Sequence, residues 1–273
     1  MTGVAWRRIV AILALPVLTG LAAALWSAWL GHSTTSTDLA DRLSAPSAMH
    51  PLGTDEFGRD VLARLVQGAG LSLGLSSAAL AGSALLGTAL GMAAAWRGGV
   101  FGAAAIGGTD AFVALPTVVI ALVLVAITGP GITTVLLAVL AVNWTPFARL
   151  AYQLTAKVAA AGYVEAAVTL GAGTTRLLVR QVLPNTARPL LAHAFLRFPS
   201  ILLTVSGLSF LGLGPQPPAP EWGAMLATAQ PYLDRAPLLA LAPGACIVAT
   251  GLIVAALGHT LESALTDQDP GRR

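Results

Sequence analysis

Four side chains that could bind a metal ion or carry a proton crowd into one run, His50-Pro51-Leu52-Gly53-Thr54-Asp55-Glu56-Phe57-Gly58-Arg59-Asp60. Imidazole and carboxylates are suitable ligands, yet His50, Asp55, Glu56 and Asp60 lack tight ligand spacing. Thr54 or Asp55 can instead cap the amides that follow, and nearby arginines can pair with the acids. The structural use is expected, and no metal is assigned. Asp110, His193 and Arg197 form a second candidate group, because each lies in or beside a strongly apolar stretch. His193 and Arg197 stand one helical turn apart and share a face. A charge within hydrocarbon costs about 2.5–3.5 kcal/mol and usually faces a cavity or a partner. Two uses stay open: lining a path through the membrane, or a structural role by snorkelling or by pairing with another chain. Nothing assembles into nucleophile, base and orienting group, and no Gly-Lys-Ser/Thr phosphate loop occurs. The chain is expected not to be an enzyme. Its single cysteine, Cys246, cannot close an intrachain disulfide and reads as a small buried hydrophobe.

The elements that must position these groups follow from composition. Of 273 residues, 56% are apolar and 10% charged, against about 25% charged in soluble domains. A soluble fold would expose large apolar patches with such a balance. Several runs of about 20 residues carry almost no charge, long enough to cross a bilayer as helices. The fold class expected is all-helical and polytopic, with six spans at about 9–30, 71–95, 103–127, 132–150, 189–213 and 238–260. Arg7 and Arg8 before the first run mimic a secretory signal, but its length favours an uncleaved helix. Lys and Arg set the orientation. Cytoplasmic termini place Arg7, Arg8, Arg97, Arg149, Lys157, Arg176, Arg180, Arg188, Arg272 and Arg273 inside, and only Arg42, Arg59, Arg64 and Arg235 outside. The net charge of +3 is thus distributed for a membrane, not for nucleic acid.

Three segments outside the spans are large enough to have work. The first outer segment, 31–70, closes in a stripe of Val61, Leu62, Leu65 and Val66 that predicts a short helix along the membrane face. With the first span it makes an N-terminal region, 1–70, ahead of a five-helix core, 71–260, and a cytoplasmic tail, 261–273. The second outer segment opens with Pro215-Gln216-Pro217-Pro218-Ala219-Pro220, a stiff extended run. The inner loop, 151–188, carries two turns of helix at 163–170, with Val164, Ala167 and Val168 on one face. Gly171 supplies a left-handed stop, and Pro184 marks a turn back toward the membrane. Ala166 and Ala167 let another surface approach the backbone closely. The helix could enter a partner's groove or lie on the membrane as a plain connector.

Glu165-Ala166-Ala167, then Gly171 and, further on, Leu183-Pro184 resemble the EAA loop of ABC importer permeases. That resemblance implies a coupling helix docking on an ATPase subunit, formed by Tyr163, Val164, Glu165, Ala166, Ala167, Gly171, Leu183 and Pro184. The run from His50 to Val61 is similar to the C-type permease of dipeptide, oligopeptide and nickel importers. So are Leu208-Ser209-Phe210-Leu211-Gly212-Leu213-Gly214 with Pro220-Glu221-Trp222-Gly223-Ala224-Met225-Leu226, and Trp144 with Phe147-Ala148-Arg149-Leu150. The family implies a type I importer permease fold in the bacterial inner membrane, working by alternating access. It implies a second homologous permease, two cytoplasmic ATPase subunits, an extracytoplasmic substrate-binding protein and surrounding lipid as partners. ATP and Mg would sit on the ATPase subunits, with no cofactor on this chain. Short peptides are the expected cargo, nickel or a metal chelate the alternative, and a non-transporting membrane scaffold the alternative of another class. Many peptide permeases carry a Glu shortly before the Ser-Phe-Leu-Gly-Leu-Gly run, where this chain has Thr204, Val205 and Ser206.

Overall fold

In hydrocarbon a backbone amide has no water to bond, so an apolar chain satisfies itself by coiling into helices. The computed structural model describes residues 37–266, and all regular elements among them are helical. The helices are α1 (Val61–Arg97), α2 (Gly99–Gly107), α3 (Thr109–Val113), α4 (Thr117–Thr128) and α5 (Ile132–Ala159). They continue as α6 (Gly162–Thr169), α7 (Thr174–Leu177), α8 (Leu183–Phe210), α9 (Trp222–Ala229) and α10 (Leu238–Thr266). A π-helical turn, Leu178–Val182, joins α7 to α8. Among the described residues four stretches are long and apolar enough to cross a membrane: α1, α5, the continuous Thr174–Phe210 rod and Leu238–Ser263 of α10.

Several expected boundaries change, each for a local reason. The expected first span, 9–30, lies outside the described residues. The predicted short helix at Val61 is the first turn of α1, which runs unbroken past Gly68, Gly70 and Gly74. Asp60 starts it: its Oδ1 accepts from the amide of Ala63 at 2.7 Å, which satisfies a donor that the helix itself cannot. The expected third span, 103–127, is divided into α2, α3 and α4. Gly108 ends α2, and Pro116 disfavours helical backbone at Leu115 before it. The 12 residues of α4 fall short of the roughly 20 that a bilayer core demands. The proline run is not extended either, since Ala219 donates to the carbonyl of Gln216 across a turn.

The described chain divides into two compact units: residues 37–77, 121–136 and 202–252, and residues 78–120, 137–201 and 253–266. In the second unit Phe147 and Ala151 of α5 pack with Met92 of α1 and with Val182 and Leu190. Helices in lipid gain little from hydrophobic association, so close packing of small residues holds them together. Gly87 and Gly91 show it: a Cβ at either would overlap the carbonyl of Trp144 or of Ala148. Pro146 lies inside α5 and cannot donate to Val142. Thr145 makes good part of the loss by donating its hydroxyl to that carbonyl at 3.0 Å.

Candidate functional site

The Glu-Ala-Ala segment forms α6, a short helix between α5 and α7. Its amides at Val164 and Glu165 both close on the carbonyl of Ala161, and Glu165 in the first turn suits the positive end of the helix dipole. The helix stops in a Schellman motif: Gly171 donates to Val168 O, and Ala172 to Ala167 O. Gly171 makes this possible at φ +81°, a conformation costly for any residue with a Cβ. Val164 is buried and anchors one face, while Ala167 is half-buried. Val168 shares that face but is left uncovered; it is 51% exposed, with Tyr163 at 54% and Leu170 at 87%. Residues 164 and 168 stand one turn apart on the same face, but within the chain only the turn at Val164 is covered. Glu165 and Ala166 are exposed beside these apolar side chains.

Pro184 does not turn the chain. The helix passes through it, because the preceding π turn lets Leu183 donate to Leu178 O, and this widened turn accommodates a residue that has no amide hydrogen. Leu183 and Pro184 are exposed on the first turn of α8. Asn185 next to them donates to Gln181 O at 2.6 Å and to the Tyr163 hydroxyl at 3.4 Å. The hydroxyl bond ties α6 to the start of α8. The residues expected to couple thus occupy one short helix, its Schellman stop and the head of a long rod.

Within the same unit, α8 faces α5 through polar groups. Arg197 Nη2 donates to Asn143 Oδ1 at 3.1 Å, and Asn143 Nδ2 donates to Val139 O at 3.0 Å. His193 meets the Phe147 ring edge-on, centroids 5.1 Å apart. His193 and Arg197 are therefore brought together with Asn143, which the sequence reading did not single out. Its signal was available: an amide side chain inside the apolar run of α5. Asp110 lies on α3, whose neighbouring Thr109 accepts from Arg149 Nε at 2.9 Å.

In the other unit the acidic run is consumed internally. Asp55 pairs with Arg59 at 2.7 Å and with Arg64 at 3.3 Å, and His50 Nδ1 meets Asp60 Oδ2 at 2.9 Å. Gly58 lies so close to the backbone of Asp38 that a Cβ would overlap it, at φ +74°. The helix after the proline run is fastened to α1. Glu221 is fully buried, accepting from Ser72 Oγ at 3.0 Å and from the Ala224 amide at 2.9 Å. Trp222 donates its amide to Ser72 Oγ and its indole N–H to Leu65 O, each at 3.0 Å.

The family model of the binding-protein-dependent transport system inner membrane component matches residues 87–267. The chain belongs to this family. The permease is 39% identical over 251 residues to the di/tripeptide transport system permease protein DppC of Pseudomonas aeruginosa strain UCBPP-PA14, covering 89% of this chain and 82% of that one. It is 35% identical to the glutathione transport system permease protein GsiD of Pectobacterium atrosepticum, over 95% and 89% of the two chains. It is 34% identical to the nickel transport system permease protein NikC of Escherichia coli K12, over 94% and 91%. A crystal structure of an amino acid ABC transporter with histidines superposes with a TM-score of 0.54 over 74% of this chain and 94% of that one, at 18% identity, and so shares the fold. The permease is thus an ABC importer subunit of the peptide and nickel family and a multi-pass inner-membrane component. Motif matching in the sequence found its run at Glu221 without exposing the role: that carboxylate caps α9 and holds it to α1.

Proposed function

We propose that the permease forms half of the translocation path of an ATP-driven importer of short peptides, and that α6 is the coupling helix through which separate ATPase subunits drive it. The observation carrying this reading is α6 itself. It is a short helix anchored by Val164, with Tyr163, Glu165, Val168 and Leu170 exposed over the rest of its surface. An apolar, close-packable surface of this kind suits a partner's groove. The Thr174–Phe210 rod that follows is helical throughout and gives displacement of α6 a continuous route into the rest of the chain. ATP and Mg act on the ATPase subunits in this scheme. A second homologous permease and an extracytoplasmic binding protein complete the assembly, with both termini of this chain cytoplasmic. ATP binding favours one conformation over the other, and transport follows from that shift in population. His193 and Arg197, with Asp110, border the path. Peptides are preferred because the relatives named for di/tripeptide and glutathione transport are 39% and 35% identical; the nickel-named relative, at 34%, makes a metal chelate the alternative.

Co-purification tests the coupling role. Glu165→Lys, or deletion of residues 162–171, is expected to abolish recovery of the ATPase subunits with the permease while leaving its membrane insertion intact. Undiminished recovery from the deletion would sink the role assigned to α6, and ATPase-independent behaviour throughout would favour a scaffold.

A further inference from the structure

Resting on the reading that α8 borders the path, we propose that Arg197, held by Asn143 and flanked by His193, recognises the carboxylate of the peptide cargo. The observation is an uncompensated cation. Among the described residues Arg197 bonds only the neutral Asn143, at 3.1 Å, its Nε is buried without a partner, and no carboxylate pairs with it. His193, one turn earlier on the same face, buries Nε2 equally unpartnered. Glu262, whose charge reaches His193, pairs with His259 at 3.7 Å. Asn143 contributes a dipole, not a charge, and its bond to Val139 O fixes its direction.

Buried donors in native proteins find acceptors, and each exception asks for an explanation. A guanidinium presents its N–H groups as a planar fork, and the acceptor matching that fork is anionic, planar and able to take two parallel bonds. A carboxylate has all three properties, and every unmodified peptide ends in one. Phosphate would also match, but the cargo class supported above carries carboxylates. Lysine would supply charge without the fork. Because Nε is enclosed in this conformation, the carboxylate meets it in a state where α5 and α8 have parted.

The test is uptake by the complete importer, with its ATPases and binding protein, of a labelled dipeptide and of the same dipeptide amidated at its C-terminus. The binding protein is common to every arm, so a changed free-to-amide ratio belongs to the permease. Wild type is expected to prefer the free peptide. Arg197→Gln should lower uptake of the free peptide about tenfold and leave the amide within about twofold, as loss of a charged hydrogen bond implies. Arg197→Lys should keep part of the preference. Assembly is checked by ATPase recovery, and where Arg197→Gln fails to assemble, the ratio in Arg197→Lys decides. Equal loss of both peptides in an assembled variant, an unchanged ratio, or a wild type without preference overturns the role of Arg197 alone. A wild type that accumulates neither peptide overturns the peptide reading, and this proposal with it.

Discussion

Asp55 takes the amides of Phe57 and Arg59 on one oxygen and the Arg59 and Arg64 guanidiniums on the other. Such a carboxylate is fully answered. Glu56 beside it is not: it has one arginine contact, at 3.3 Å, for a side chain largely withdrawn from water. Burial pushes its carboxyl above the usual range; a bond to its own backbone and the charges of Arg59 and Arg64 pull down, while Asp55 adds to the rise. The sign follows from linkage. A folded value above the unfolded one means that folding takes up a proton, so this contribution is complete below the unfolded value and is lost as pH rises through the folded one. Glu56→Gln removes the titration without removing the bulk. Melting temperatures of wild type and Glu56→Gln, measured between about pH 4 and pH 7, are expected to diverge with rising pH, wild type becoming the less stable. A difference that is flat, or that grows toward acid, would show the Arg59 contact outweighing burial.

At the scale of elements, the close contacts of α1 with α5 make a graded prediction. Gly91→Val forces a branched side chain into the backbone of Ala148 and should cost about 1–3 kcal/mol, as overpacking does. Gly74→Ala meets nothing within 4 Å and should stabilise α1 by roughly 0.5–1 kcal/mol through helix preference alone. Thermal unfolding of the purified subunit checks both, and a fall for Gly74→Ala as large as for Gly91→Val would refute the packing account. The same residues explain what could be read in advance. Helices α5, α8 and α10 were visible because their apolar runs exceed a bilayer's thickness, and Gly171 announced the end of α6. The break between α2 and α4 was not visible, because the run is apolar throughout and only Gly108 and Pro116 interrupt it. The continuity of α1 was hidden for the converse reason. Gly68 resembles a breaker by composition, yet its lack of a Cβ lets the carbonyl of Pro220 approach. Asn143 escaped notice because one amide hardly changes the hydropathy of a 28-residue helix. Its partner Arg197 was found because a charge does.

For the whole molecule, everything proposed about coupling depends on which side of the membrane holds α6. The charge rule assigns α6 to the cytoplasm and the segment around Met49 to the outside, by ten basic residues against four. Family membership leaves this topology to be tested, and two exposed side chains make the test simple. Met49 is 70% and Leu170 is 87% exposed, so a cysteine at either position stands in the surrounding medium. The lone Cys246 is half-buried and can be replaced by Ala to give a silent background. In intact cells a membrane-impermeant thiol reagent is expected to label Met49→Cys and spare Leu170→Cys; after permeabilisation both should react. Protection of Leu170→Cys that persists after permeabilisation has a second meaning, since a docked ATPase would cover α6. Stripping the ATPase subunits should then restore labelling. Reaction of Leu170→Cys in intact cells would instead place α6 outside, where no ATP-driven subunit can reach it, and the route from α6 through the Thr174–Phe210 rod would lose its motor.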